Sequence, residues 1–269
     1  MAQKWRIFNV PFEGMTETAN INDLMPYKST VAIDWQAPTA DRPDTFQPYA
    51  PQIQIMDADG HYEYYFYVTN ARYKDENGQT AYKPGWCYET GALALESNAK
   101  GKGMLTPGAA AVWFCDPNND ERTITTAGGV RNADVEIECQ TGWRLRGPSI
   151  PATFNLNDSE QVSYIDIDNT VSIDWQAPTA DRPDTFQPYA PQIQIMDADG
   201  HYEYYFYVTN ARYKDENGQT AYKPGWCYET GALALESNAK GKGVVDVNYG
   251  FWLKGVSKAF TMKFKGLAK

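Results

Sequence analysis

The sequence predicts an all-β protein: two homologous β-sandwich or partly open β-barrel domains in tandem, over residues 1–135 and 136–269. Three observations predict it. Residues 33–103 recur without a substitution as residues 173–243, at an offset of 140. The eight tryptophans pair across the halves in order: Trp5 with Trp143, Trp35 with Trp175, Trp86 with Trp226 and Trp113 with Trp252. Short runs with period-two alternation, punctuated by Gly, Asn and Asp, fill most of the chain, whereas helix-period stretches are few, "INDLM" from Ile21 being the best.

In chain order, "WRIFNVPF" from Trp5 opens the first copy and "WRLRGPSIP" from Trp143 the second. The proline-rich "QAPTADRPDTFQPYAPQ" reads as a long loop, because proline removes ladder donors and fixes φ. "QIQIMDADGHYEYYFYV" reads as a hairpin in which Ile53 and Ile55 alternate with Gln52 and Gln54, and Asp59-Gly60 supplies the turn. Its return arm sets Tyr62, Tyr64, Phe66 and Val68 on one face and His61, Glu63, Tyr65 and Tyr67 on the other. Asn77-Gly78 supplies a second turn suited to positive φ, and "WCYETGALAL" then runs toward the loop "AKGKG". Later strands are "AVWFC", "RTITTA", "DVEIECQ" and "WRLRG", then "YGFWLKG" and "AFTMKFKG".

Identity across the centre, flanked by diverged ends, speaks of history more than chemistry. Exposed positions tolerate substitution, so folding alone rarely preserves every surface Lys, Glu and Asn. An old duplication with later copying of the centre would produce the pattern, and so would engineering. Two copies this long disfavour a solenoid or propeller.

The chain has 24 basic and 34 acidic residues, a net charge of −10. Such a balance disfavours nucleic acid and anionic membrane as partners, since both are polyanions. No apolar run approaches the length of a membrane span. The N-terminal "MAQKWRIFNVPFEG" has no signal-peptide core. The expected location is therefore extracellular or cell-surface if an export signal has been removed, and cytoplasmic otherwise. Of the four cysteines, Cys87 and Cys227 are one position in two copies, whereas Cys115 and Cys139 end two different strands. A disulfide between Cys115 and Cys139 requires those strands to be neighbours. Four cysteines allow three pairings, and buried thiols are the competing reading.

The order Trp-Arg-Ile/Leu, "INDL" or "FNLNDS", Gln-Ile-Gln-Ile-x-Asp, Tyr-Tyr-Phe-Tyr, Gly-Trp, and then "PGAAAVWF" or "YGFWLK" resembles tandem β-rich domains of secreted or surface bacterial repeat proteins. The resemblance spans most of both halves and implies surface or extracellular repeats without assigned catalysis. It carries no catalytic residues.

Candidate sites are few. His61 and His201 are the only histidines, and no "GxSxG", "HExxH" or Cys-x-x-Cys accompanies them, so an exposed strand residue is the ordinary reading. Asp57 and Asp59, with Asp197 and Asp199 in the second copy, offer hard oxygen donors for calcium, but the twelve-residue EF-hand spacing is absent and Asp-Gly turns occur for backbone reasons alone. The tyrosines carry most weight. Four consecutive aromatics from Tyr64 to Tyr67 put two on each strand face, so one face meets the sister domain, a neighbouring subunit, a ligand or water. Tyr65, Tyr67, Tyr205 and Tyr207 are expected on that face. The last 26 residues hold five Lys against one Asp, so a basic end, with Lys263 and Lys265, sits on an acidic body. The expectation is a non-enzymatic, self-associating structural subunit of a surface or extracellular filament or lattice, with no cofactor and head-to-tail contact between copies. The alternative is a carbohydrate-binding or adhesive module whose partner is a glycan.

Overall fold

A computed structural model describes residues 5–9, 20–25, 27–35, 50–56, 59–105, 111–117, 129–148, 150–175, 188–197, 199–247 and 249–267. Most of the proline-rich loop in both copies, Asp57 and the predicted strand "RTITTA" lie outside these residues.

The fold is all-β. The first repeat supplies β1 (Trp5–Asn9), the single helical turn α1 (Ile21–Leu24), β2 (Gln52–Met56), β3 (Tyr62–Lys74), β4 (Thr80–Tyr88) and β5 (Ala111–Cys115). The rest of the chain supplies β6 (Val135–Cys139), β7 (Gly142–Arg146), β8 (Phe154–Asn155), β9 (Val162–Ile165), β10 (Gln192–Met196), β11 (Tyr202–Lys214), β12 (Thr220–Tyr228), β13 (Val244–Val245), β14 (Phe251–Gly255) and β15 (Phe260–Phe264). The expected boundary after residue 135 therefore falls on the first residue of β6.

Two five-stranded antiparallel sheets repeat one topology, β1-β5-β2-β3-β4 and β7-β14-β10-β11-β12. A three-stranded sheet, β6-β15-β9, and the pair β13-β8 complete the second repeat, and among the described residues none of the sheets closes into a barrel. In the second repeat the layers form a sandwich: Ile137, Met262 and Phe264 of the small sheet pack with Ile193, Tyr205, Trp226 and Leu253 of the large one. In the first repeat Ile53, Ile55, Tyr65, Trp86 and Phe114 pack with Ile21, Met25 and Leu105.

The long hairpin β3–β4 bends at a bulge between Val68 and Ala71, which lets its distal half fold over a second cluster of Ile33, Phe66, Val68, Cys87 and Leu93. Asparagine amides act here as substitute backbone. Asn70 accepts from the Ile33 N–H and donates to the Ile33 carbonyl, both at 2.8 Å, and Asn210 does the same for Ile173. Asn22 accepts from the Trp86 N–H at 2.6 Å and donates to the Ala94 carbonyl at 3.0 Å. Asn157 repeats those bonds with Trp226 and Ala234 at 2.8 and 3.0 Å. The "INDL" and "LNDS" segments thus hold equivalent places although their offset differs from 140.

Candidate functional site

The aromatic strand shows which face is left over. Opposed residues of an antiparallel pair point to the same side of the sheet. Ile53 lies opposite Tyr65 and Met56 opposite Tyr62, with the same pairing of Ile193 and Tyr205 in the second copy. The isoleucine face therefore carries Tyr65 and Tyr67, and it is the core face. Tyr65 and Tyr205 are fully buried. Each hydroxyl donates to its neighbouring Glu63 or Glu203 carboxylate, and accepts from the Gly103 or Gly243 N–H at 2.8 or 2.9 Å. Burial, then the adjacent carboxylate, holds both phenols well above the usual tyrosine range. Tyr67 and Tyr207 pack edge-on against Trp86 and Trp226. The expectation that these four tyrosines form an outward face is thus corrected: they line the cores of their own repeats.

The opposite face carries Gln52, Gln54, Met56 and Tyr62, and its Met56–Tyr62 end meets the sister repeat. Ile7, Met56, Leu145, Met196 and Trp252 form one buried cluster, with Tyr62, Trp143 and Tyr202 packed on it. The Leu145 N–H points at Met56 Sδ at 3.3 Å, and the Tyr62 and Trp252 rings meet edge to face at 6.1 Å. The contact is reciprocal. A Cβ on Gly60 would stand 2.6 Å from Cζ of Arg144, and one on Gly200 would stand 2.5 Å from Nη1 of Arg6. Arg6 and Arg144 occupy the same place in "WRI" and "WRL", so each repeat lays its arginine on the other's Asp-Gly turn. Both glycines adopt positive φ, +91° and +88°, which a side chain would strain independently of the arginine.

The basic end is built into the sandwich. Lys263, on the central strand β15, bridges Asp134 at 3.1 Å and Glu136 at 3.3 Å, and Lys265 reaches Glu160 at 3.5 Å. These carboxylates raise the Lys263 ammonium, while the Gly266 N–H and then Lys263 lower Asp134. The expectation of two lysines held out toward another molecule is corrected, since both meet carboxylates of their own repeat.

All four cysteines are buried thiols, so the Cys115–Cys139 disulfide does not form; β5 and β6 belong to different sheets. Burial pushes Cys115 up to about 11 and Cys87, Cys139 and Cys227 up to about 12.

At the second Asp-Gly turn, ligand atoms of Asp197, Asp199 and His201 lie within 4.8 Å of one another. Asp197 spends its carboxylate on the Asp199 and His201 N–H groups, at 2.9 and 2.8 Å, and on the imidazole at 3.4 Å. That is the bonding of an Asx turn. The His201 N–H is the first cause of the lowered Asp197 carboxyl. Asp59 stands exposed in the first copy of the turn. Beside the second turn opens a cleft of about 600 Å³ lined by Asp197, Glu203, Glu236, Asp246, Lys242 and Tyr249, a lining suited to a cationic group.

The surface aromatics are ones that sequence reasoning missed. Tyr82 and Tyr222 are 50% and 51% exposed, each 5.8 Å from a half-buried tryptophan, Trp35 or Trp175. Arg72 and Arg212 cover those tryptophans at 4.7 and 4.6 Å. Pairing β4 with β3 and counting outward from the Asn77-Gly78 turn would have found Tyr82. Among the described residues no helix is long and apolar enough to cross a membrane. Comparison with family models, curated proteins and solved structures finds no match to this chain.

Proposed function

We propose that this chain is a non-enzymatic structural protein, a tandem β-domain subunit that associates with further copies of itself at a cell surface or in an extracellular assembly. One observation carries this reading: like already pairs with like inside the chain, through one face used reciprocally by both repeats. A surface complementary to its own copy is what a repeating assembly requires. The resemblance to tandem domains of secreted bacterial proteins agrees with it. Sedimentation over a concentration series reaching about 1 mM tests it, that being the range of effective concentration for tethered domains. Growth in multiples of one chain is expected, and a single-chain mass throughout would overturn it.

A second reading, a glycan-binding or adhesive module, is favoured by the twin Trp35–Tyr82 and Trp175–Tyr222 pairs, whose exposed tyrosine rings suit stacking on sugars. A glycan array separates the two readings. Binding that disappears in a Tyr82→Ala, Tyr222→Ala variant supports the module, and no binding by the parent removes it.

A further inference from the structure

We infer that the face joining the two repeats within a chain also joins repeats of different chains, so that its partner is a second copy of this protein. The inference rests on the self-association proposed above and names its surface.

Nothing in the contact distinguishes a repeat of the same chain from one of another. Met56, Gly60 and Tyr62 come from the identical block, and Met196, Gly200 and Tyr202 are the same residues in the other copy. Among the contributors from the diverged flanks, Arg6 and Arg144 keep their chemistry, as do Ile7 and Leu145, whereas Asn9 meets Gly147 at the equivalent position. The neighbouring position has not kept its chemistry, since Phe8 stands where the second repeat has Arg146. The flanks have therefore changed at and around this face while leaving a first repeat complementary to a second.

Asn9 of the first repeat lies against Gly147, its counterpart in the second, where a side chain would collide, so the face pairs a first repeat with a second one. Covalent connection merely favours the pair within a chain through effective concentration. At high chain density, or once the internal pair is broken, the first repeat of one chain takes the second repeat of the next. Reciprocal exchange closes a two-chain ring, and unreciprocated exchange continues as a filament.

Complementation of two full-length variants tests this. Met56→Lys spoils the first repeat's face and leaves the second intact, whereas Leu145→Lys does the reverse. Both residues sit in the cluster between repeats, outside the cores of either one. Isotopically labelled M56K mixed with unlabelled L145K should give a mixed-mass dimer by native mass spectrometry. Each variant's strand content is checked by circular dichroism, and Met56→Gln with Leu145→Gln replaces the lysines if either variant unfolds. Absence of the mixed dimer at about 100 μM, well below the millimolar tethering regime, would overturn the inference. If the parent assembles but the variants do not complement, self-association stands and uses another surface. If the variants complement but the parent stays monomeric to about 1 mM, the face is self-recognising and the structural-subunit reading falls.

Discussion

Replacing Gly60 by alanine perturbs the contact between repeats at one atom, and Gly78 provides its control. Both glycines have positive φ, +91° and +74°, but a Cβ at Gly78 meets nothing within 4 Å, whereas one at Gly60 overlaps the Arg144 guanidinium. Gly78→Ala should therefore lose only the backbone term, about 1–2 kcal/mol. Gly60→Ala must also displace Arg144, which donates to the Trp143 carbonyl at 2.9 Å and to Gln140 Oε1 at 3.1 Å. Charge-assisted bonds of this type contribute roughly 1.5–3 kcal/mol when buried, and these are part-buried. An additional loss of about 1–2 kcal/mol follows for Gly60→Ala. Urea unfolding of both variants, in the parent and in an Arg144→Ala background, reads the difference from midpoints at common slope. The extra loss should vanish once Arg144 is removed. Equal losses for Gly60→Ala and Gly78→Ala in the parent, within about 0.5 kcal/mol, would refute the reciprocal arginine–turn contact.

Asn22→Ala and Asn157→Ala should each cost about 1–3 kcal/mol by leaving a buried tryptophan N–H without its acceptor, and similar losses in urea unfolding would confirm that the two offset segments are equivalent. Asn9 is buried against Gly147 with neither amide atom hydrogen-bonded, so Asn9→Leu, of similar shape, should stabilise by about 1–3 kcal/mol in the same assay. Cys87, Cys139 and Cys227 are held near 12 in the folded chain against about 8.5 unfolded. Their neutral form is favoured by folding, so their contribution is complete below about pH 8.5 and is lost as pH rises toward the folded values. The unfolding free energy from urea titration should fall above about pH 8.5, by up to roughly 1.4 kcal/mol per pH unit and thiol. Replacing the three by alanine should flatten that slope, and an unchanged slope would contradict the assignment.

Much of the fold was legible because period-two alternation and tryptophan order are properties of the chain itself. The QIQI strand, its tyrosine-rich partner and the tryptophan-bearing fifth strand stand where the pattern put them, whereas "WCYETGALAL" is strand only as far as Tyr88 and then turns, the Gly91 N–H bonding the Tyr88 carbonyl. The tyrosine face was misread through the length of a turn. A two-residue turn at Asp59-Gly60 would set Ile53 opposite Phe66 and send Tyr65 and Tyr67 outward. The observed loop is longer, as the bonds Asp197 N–H to His201 carbonyl and Gly200 N–H to Asp197 carbonyl show, and it sets Ile53 opposite Tyr65. A slip of one residue in register exchanges the two faces of a strand. Lys263 and Lys265 were misjudged for a different reason. Local charge was visible, but their partners Asp134, Glu136 and Glu160 lie more than a hundred residues away in sequence. The reciprocal seat of Arg6 and Arg144 on the opposite turns was likewise invisible without the fold that brings them together.

Imaging the purified full-length protein by electron microscopy at high surface density is the most direct test of self-association through like repeats. The expected result is a regular ring, filament or lattice whose repeat is one chain and which is lost in Met56→Lys. Isolated single-chain particles at every density would contradict it.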